Sequence, residues 1–147
     1  PVKKFRVLII DDTAFAHDVI IMAFENYEEG ANTPERTTLG GYIEFASALQ
    51  GLEGVAIYRK AQEVGNPFHA VILDSRMPPG IDGPETLKLL LKNNPDINVI
   101  ICSAFTDHSL DNLAVKLNLK DLSKIQYVSK PFSHTEIVKK VLNAIKN

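Results

Sequence analysis

Four short apolar runs in this 147-residue chain each end in polar residues of particular types. Asp11 and Asp12 follow Val7–Ile10, Asp74 follows Ala70–Leu73, Ser103 follows Val99–Cys102, and Lys130 stands just beyond Ile125–Val128. Alone, each is ambiguous, since Asp is a common turn and N-cap residue and a Ser or Lys at a strand end is ordinary surface chemistry. If the first and second runs are neighbours, however, three carboxylates converge. Two carboxylates 4 Å apart repel by about 4 kcal/mol at an effective dielectric of about 20, so the cluster needs a cation or strong donors to stay ionised. A hard divalent ion, Mg²⁺, suits oxygen ligands and accepts phosphate oxygens. His17 and His108 have no second His or Cys at ligand spacing, which argues against either as a metal ligand. Carboxylates, a hydroxyl and a lysine around a metal make an inventory for phosphoryl transfer. An Asp carboxylate can itself be the nucleophile, with Lys130 and Ser103 holding the other phosphoryl oxygens. The chain has no Gly-x-Ser-x-Gly, no Gly-x-Gly-x-x-Gly and no Walker loop, so lipase-like, dinucleotide and nucleotide readings lack their devices.

The elements that must position these residues can be read from periodicity. Continuous rather than alternating apolar runs indicate strands covered on both faces, as in an internal parallel sheet. Between them lie helix-period stripes: Leu110, Leu113, Ala114 and Leu117, then Ile137, Val138, Val141, Leu142 and Ile145. Pro84, behind Asp82 and Gly83, suits the first position of a helix carrying Leu87, Leu90 and Leu91 and stopping near Asn93–Pro95. A helix around Phe15–Tyr27, a strand near Tyr42–Ala46 and a helix around Leu52–Val64, whose start Gly51 and Gly54 weaken, complete five strands and five helices. Repeated βα units around one core imply a doubly wound α/β domain with right-handed crossovers and helices on both faces. Its functional crevice lies beyond the carboxyl ends of the strands, where the five polar residues fall. The polar stretch from Glu28 to Gly41 is too long for an ordinary connection and reads as an inserted loop.

Composition narrows the classes. A formal charge of −2 gives no electrostatic reason to bind nucleic acid or an anionic membrane, and the longest apolar run, Val19–Phe24, is too short to span a bilayer. The single Cys102 excludes a disulfide framework and multi-Cys zinc, and it reads as a small buried hydrophobe in a reducing, cytoplasmic setting. Residues 116–147 hold 7 Lys and 2 acidic residues, and Lys116, Lys120 and Lys124 recur every four residues, which reads as a solvated helix face.

The segments Val7-Leu8-Ile9-Ile10-Asp11-Asp12, Val71 through Asp74-Ser75-Arg76-Met77-Pro78-Pro79-Gly80-Ile81-Asp82-Gly83, Ile101-Cys102-Ser103-Ala104 and Tyr127-Val128-Ser129-Lys130-Pro131-Phe132 resemble, in order, the receiver domains of two-component response regulators. The resemblance covers nearly the whole chain, one domain over 1–147 with an insertion at about 28–41. It implies a flavodoxin-like α/β fold: a doubly wound five-stranded parallel sheet, order 2-1-3-4-5. It implies Asp74 as phosphoacceptor, and Mg²⁺ held by Asp12, Asp74, the Arg76 backbone carbonyl and Asp11 directly or through water. It further implies that Ser103, the Ala104 backbone and Lys130 bind the phosphoryl group, that Ser103 and Tyr127 act as switch residues, and that the Lys130–Pro131 bond is cis.

The implied partner is a sensor histidine kinase or phosphotransfer protein. The output passes through the fourth helix and fifth strand, and a homodimer through the fourth and fifth helices is a further implied assembly. Pro79-Gly80 adds a residue before Asp82-Gly83, and the region Asp107–Lys124 is long. Both features look like a receiver subtype attached to hybrid sensor kinases and cyclic-dinucleotide signalling proteins, which suggests a piece of a longer protein. Arg76 and Phe105, flanking the acceptor and the hydroxyl, are placed to obstruct water. Two competing readings are a phosphorylation-independent interaction module with the same fold and a dehalogenase-type phosphatase. The latter wants a second Asp two residues after the nucleophile, where Arg76 stands.

Overall fold

A computed structural model of the chain describes residues 3–26, 41–103, 115, 117–118, 121 and 123–146. Its elements, in order, are β1 (Lys3–Ile10), α1 (Ala14–Asn26), β2 (Gly41–Ala48), α2 (Gly51–Glu63), β3 (Ala70–Asp74), α3 (Gly83–Asn93), β4 (Val99–Ser103), β5 (Ile125–Ser129) and α4 (His134–Lys146). The strands form one parallel sheet in the order β2-β1-β3-β4-β5, so β1 and β3 are neighbours at the point where the order reverses. The helix expected on Leu110–Leu117 lies outside the described residues apart from Val115 and Leu117, and so does the insertion expected at 28–41 apart from Gly41, which opens β2.

The unbroken apolar runs are explained by the two-sided burial of the central strands. Side chains alternate across a strand, and here both alternating sets meet helices. Leu8, Ile10, Val71, Leu73, Val99 and Ile101 pack with α2 and α3, joined by Val55, Tyr58, Leu87 and Leu90. Val7, Ile9, Ala70, Ile72, Ile100 and Cys102 pack on the other face with α1 and α4, joined by Ile20, Phe24, Ile137 and Val141. Each large side chain buried this way contributes about 1.5–3 kcal/mol relative to exposure.

Strand β1 begins at Lys3, earlier than its apolar run. Lys3–Arg6 pair only with Gly41–Glu44 of β2, whereas Val7–Ile10 pair with both β2 and β3. The half with one neighbour carries the charges of the sheet margin and so lacks the signal of a buried strand.

Gly51, one residue ahead of the expected start, and Gly54 both lie inside α2. A Cβ on Gly51 would stand 2.1 Å from the Thr86 hydroxyl oxygen, and one on Gly54 would stand 2.4 Å from Ile10 Cδ1. The helix therefore loses propensity but gains close approach to α3 and β1. Helix α3 starts at Gly83, one residue earlier than expected. The Asp82 carboxylate caps it by accepting from the Glu85 N–H at 2.9 Å, and Pro84 sits within the first turn, where it sacrifices no helical bond.

Candidate functional site

Asp11 stands one residue past the end of the β1–β3 ladder, whose last pair is Ile10 with Leu73. Its backbone groups therefore need partners from outside that ladder. The Asp11 N–H donates to the Ala48 carbonyl at 3.1 Å, and its carbonyl accepts from His17 Nε2 at 2.8 Å. Its carboxylate is engaged at both oxygens: Oδ1 accepts from the Thr13 N–H at 2.9 Å and Oδ2 from Lys130 Nζ at 3.3 Å. Asp11 is thus a junction between two strands, the entrance of α1 and the lysine.

Asp74 ends β3, and its Oδ1 accepts from the same ammonium at 3.2 Å. Lys130 is held by its own backbone, whose N–H donates to the Ser103 carbonyl at 2.6 Å. Asp12, half-buried, accepts from the Thr13 hydroxyl at 3.4 Å. Oxygens of Asp11, Asp12 and Asp74 all lie within 4.8 Å of one another. The structure thus brings together the three carboxylates and Lys130, with Ser103 fully buried at the adjoining strand end.

The charges are mutually dependent. Burial, followed by repulsion from Asp11, pushes the Asp74 carboxyl above its ordinary range, against the opposing pull of Lys130. Burial alone would weaken the Lys130 ammonium, but Asp74 and then Asp11 outweigh it and raise its pKa. The Lys130 ammonium thus contacts two of the three carboxylates, Asp11 and Asp74. The donor set is all oxygen and carries excess negative charge in a half-enclosed place, which fits Mg²⁺ and does not fit zinc.

Beside Asp74 lies a largely apolar cavity of about 740 Å³, with Phe15, Val19, Ile20 and Phe132 in its wall. Low polarity there strengthens each electrostatic contact within the site. Cys102 reaches this cavity, but burial pushes its thiol up to about 12, so it is no nucleophile at neutral pH.

Arg76 is exposed on the loop after Asp74. Tyr127 is half-buried against the α2/α3 core, paired in register with Ile101. Ala104, Phe105 and His108 lie outside the described residues. The Lys130–Pro131 bond is cis, and so is Pro78–Pro79, which nothing in the sequence reading anticipated. The loop carrying that second bond is clamped by Gln50. Its side-chain oxygen accepts from the Gly80 N–H at 3.2 Å, and its amide donates to the Pro78 carbonyl at 3.5 Å. Among the described residues, Gln50 and His17 make hydrogen bonds to backbone near the site that motif reading passes over. Gln50 acts across thirty positions of sequence and leaves no local signal, whereas His17 lies six residues from its partner and was weighed only as a metal ligand.

The profile of the response regulator receiver domain matches residues 7–142. The chemotaxis protein CheY of Thermotoga maritima is 27% identical over 133 residues, covering 90% of this chain and 91% of that protein. A receiver domain protein from Clostridium thermocellum has a crystal structure that aligns with a TM-score of 0.69 at 25% identity, over 97% of this chain and 94% of the other. A Francisella response regulator receiver domain aligns with a TM-score of 0.65 at 26% identity, over 96% of each chain. The matched segment starts at the first fully buried residue of β1 and ends in α4, so it takes in every strand end described above, and the chain belongs to the response regulator receiver domain family.

Proposed function

We propose that Asp74 is the phosphoacceptor of a two-component signalling step, and that its acyl phosphate switches a protein-interaction surface around the segment before β5 and β5 itself. The observation that supports this most is the convergence of Asp11, Asp12 and Asp74 within 4.8 Å, with Lys130 Nζ 3.2 Å from the acceptor carboxylate. An Asp74 oxygen attacks the phosphorus of a partner's phosphohistidine, or of a small acyl phosphate. The new O–P bond forms as the bond to the leaving nitrogen or oxygen breaks, and the leaving group keeps the electron pair. Lys130 and the Ser103 hydroxyl would hold the phosphoryl oxygens, and the Ala104 backbone would assist. Lys130 must loosen its grip on Asp74 to do so, and Asp11 keeps the ammonium at the site meanwhile.

Asp12, Asp74 and the Arg76 carbonyl would hold Mg²⁺, with Asp11, already bonded at both oxygens, assisting through water. When bound, the ion neutralises charge that otherwise repels the incoming phosphoryl group. Water later attacks the same phosphorus and restores the carboxylate. The chain ends each transfer covalently modified, which makes it a phosphoacceptor and not a turnover enzyme. Ser103 and Tyr127 would report the modification, since phosphorylation shifts an equilibrium only by stabilising one state over the other. A cytoplasmic setting with a histidine kinase or phosphotransfer partner fits this chemistry.

Intact mass after incubation with acetyl phosphate and Mg²⁺ tests the reading. One phosphoryl increment is expected, abolished by EDTA and absent from Asp74→Asn. An increment that survives Asp74→Asn would overturn it.

A further inference from the structure

We propose that His17 is a positioning residue for the acidic loop, setting the geometry of Asp11 and Asp12 toward a divalent cation through the Asp11 main-chain carbonyl. The inference rests on the phosphoacceptor reading only for what the loop is used for. The Asp11 carbonyl lies just past the last β1–β3 pair, so the sheet offers it no further rung on that side. His17, one turn into α1 and 5% exposed, reaches back to it at 2.8 Å. Because a carbonyl only accepts, Nε2 must carry the proton of this bond.

Nδ1 is buried, and no described group donates to it. Leaving a buried ring nitrogen unpaired disfavours the folded state, and an apolar side chain at this place in the α1 face would avoid that cost. The ring is therefore poor as filler and good as a tether. Its single bond fixes the peptide plane between Asp11 and Asp12 relative to α1. Asp11 is fixed at the same time by Ala48, Thr13 and Lys130. Two bonds to its backbone and two to its carboxylate leave Asp11 little freedom, and Asp12 inherits that order as the next residue. The ring itself touches no phosphoryl group and no metal. It acts one bond removed, as partners of metal-binding carboxylates do elsewhere, where their loss weakens metal affinity by about 10- to 100-fold.

The test measures Mg²⁺ affinity, with the metal alone, by titrating amide shifts of the full chain. His17→Leu, which fills the space without the donor, should weaken Mg²⁺ binding about tenfold, and His17→Gln, which restores an N–H donor, should return it to within about twofold of wild type. Nitrogen-15 spectra of the wild-type imidazole supply an independent reading: the Nε2–H tautomer is expected, with the Nε2–H resonance moving as Mg²⁺ is added. Unchanged affinity in a folded Leu variant, a Gln variant as weak as the Leu variant, or an Nδ1–H tautomer would each overturn the proposal. The tautomer decides it even if His17→Leu does not fold. Failure of the wild type to take a phosphoryl group while these affinities and the tautomer behave as expected would reject the phosphoacceptor reading and leave the tether standing.

Discussion

The two ends of the sheet treat polar groups in opposite ways. At the amino end, groups are matched. Arg6 donates to Glu44 at 3.0 Å and to the Asn66 carbonyl while its guanidinium lies 4.2 Å over the Phe68 ring, Tyr58 meets Asn94 at 3.0 Å, and His69 Nδ1 accepts from the Arg6 N–H at 3.0 Å. At the carboxyl end three carboxylates converge, the Lys130 ammonium contacts two of them, and burial followed by repulsion from Asp11 pushes the Asp74 carboxyl above its ordinary range. Polarity is balanced where only the fold depends on it and left unbalanced where, on the phosphoacceptor reading, a cation and a phosphoryl group are to be received. Mutations at the two ends should therefore differ in kind.

The largest effect falls at the carboxyl end. Lys130→Ala should slow acyl-phosphate formation on the order of a hundredfold, the usual loss for a donor aimed at developing charge, in a mass time course with acetyl phosphate. A rate within threefold of wild type would remove Lys130 from the chemistry. At the amino end, Tyr58→Phe should cost about 1 kcal/mol in urea unfolding, the net worth of one hydrogen bond, and leave the phosphorylation rate unchanged.

The remaining effects are pH slopes of opposite sign. Asp74 binds its proton more tightly in the fold than in the unfolded chain, so its ionised form opposes folding at neutral pH, and that penalty fades as pH falls through the raised value toward 3.8. Asp74→Asn should accordingly raise the melting temperature at pH 7 and lose that advantage in acid. A variant less stable than wild type at pH 7 would show that the Lys130 contact outweighs burial. His69 is held below its ordinary 6.5, above all by burial, so it contributes no pH dependence in alkali. Stability should decline as pH drops below 6.5, where the unfolded chain takes up the proton first. His69→Asn should flatten that slope.

These contrasts also show what the sequence could carry. Val7–Ile10, Ala70–Leu73 and Val99–Cys102 announce themselves because both faces of each strand are buried, and the residues that follow them are the site. Lys3–Arg6 do not, because a strand segment with one neighbour is patterned like surface. Gly51 and Gly54 read as helix weakeners because propensity is local, whereas their use is the approach of Thr86 and Ile10 from elsewhere in the chain. The Gln50 clamp on Pro78 and Gly80 and the His17 tether on Asp11 are hydrogen bonds to backbone, and a backbone partner has no sequence identity to recognise. The residue types at the site were readable, but the second ring of supports that holds them was not.

The most direct measurement is to locate the modification. Treating the phosphorylated chain with borohydride reduces an acyl phosphate to an alcohol, and tandem mass spectrometry of the peptides then identifies the residue. The account predicts reduction at Asp74 alone, dependent on Mg²⁺ and lost with EDTA. Reduction at Asp11, at Asp12 or at any residue outside this cluster, with Asp74 intact, would contradict it.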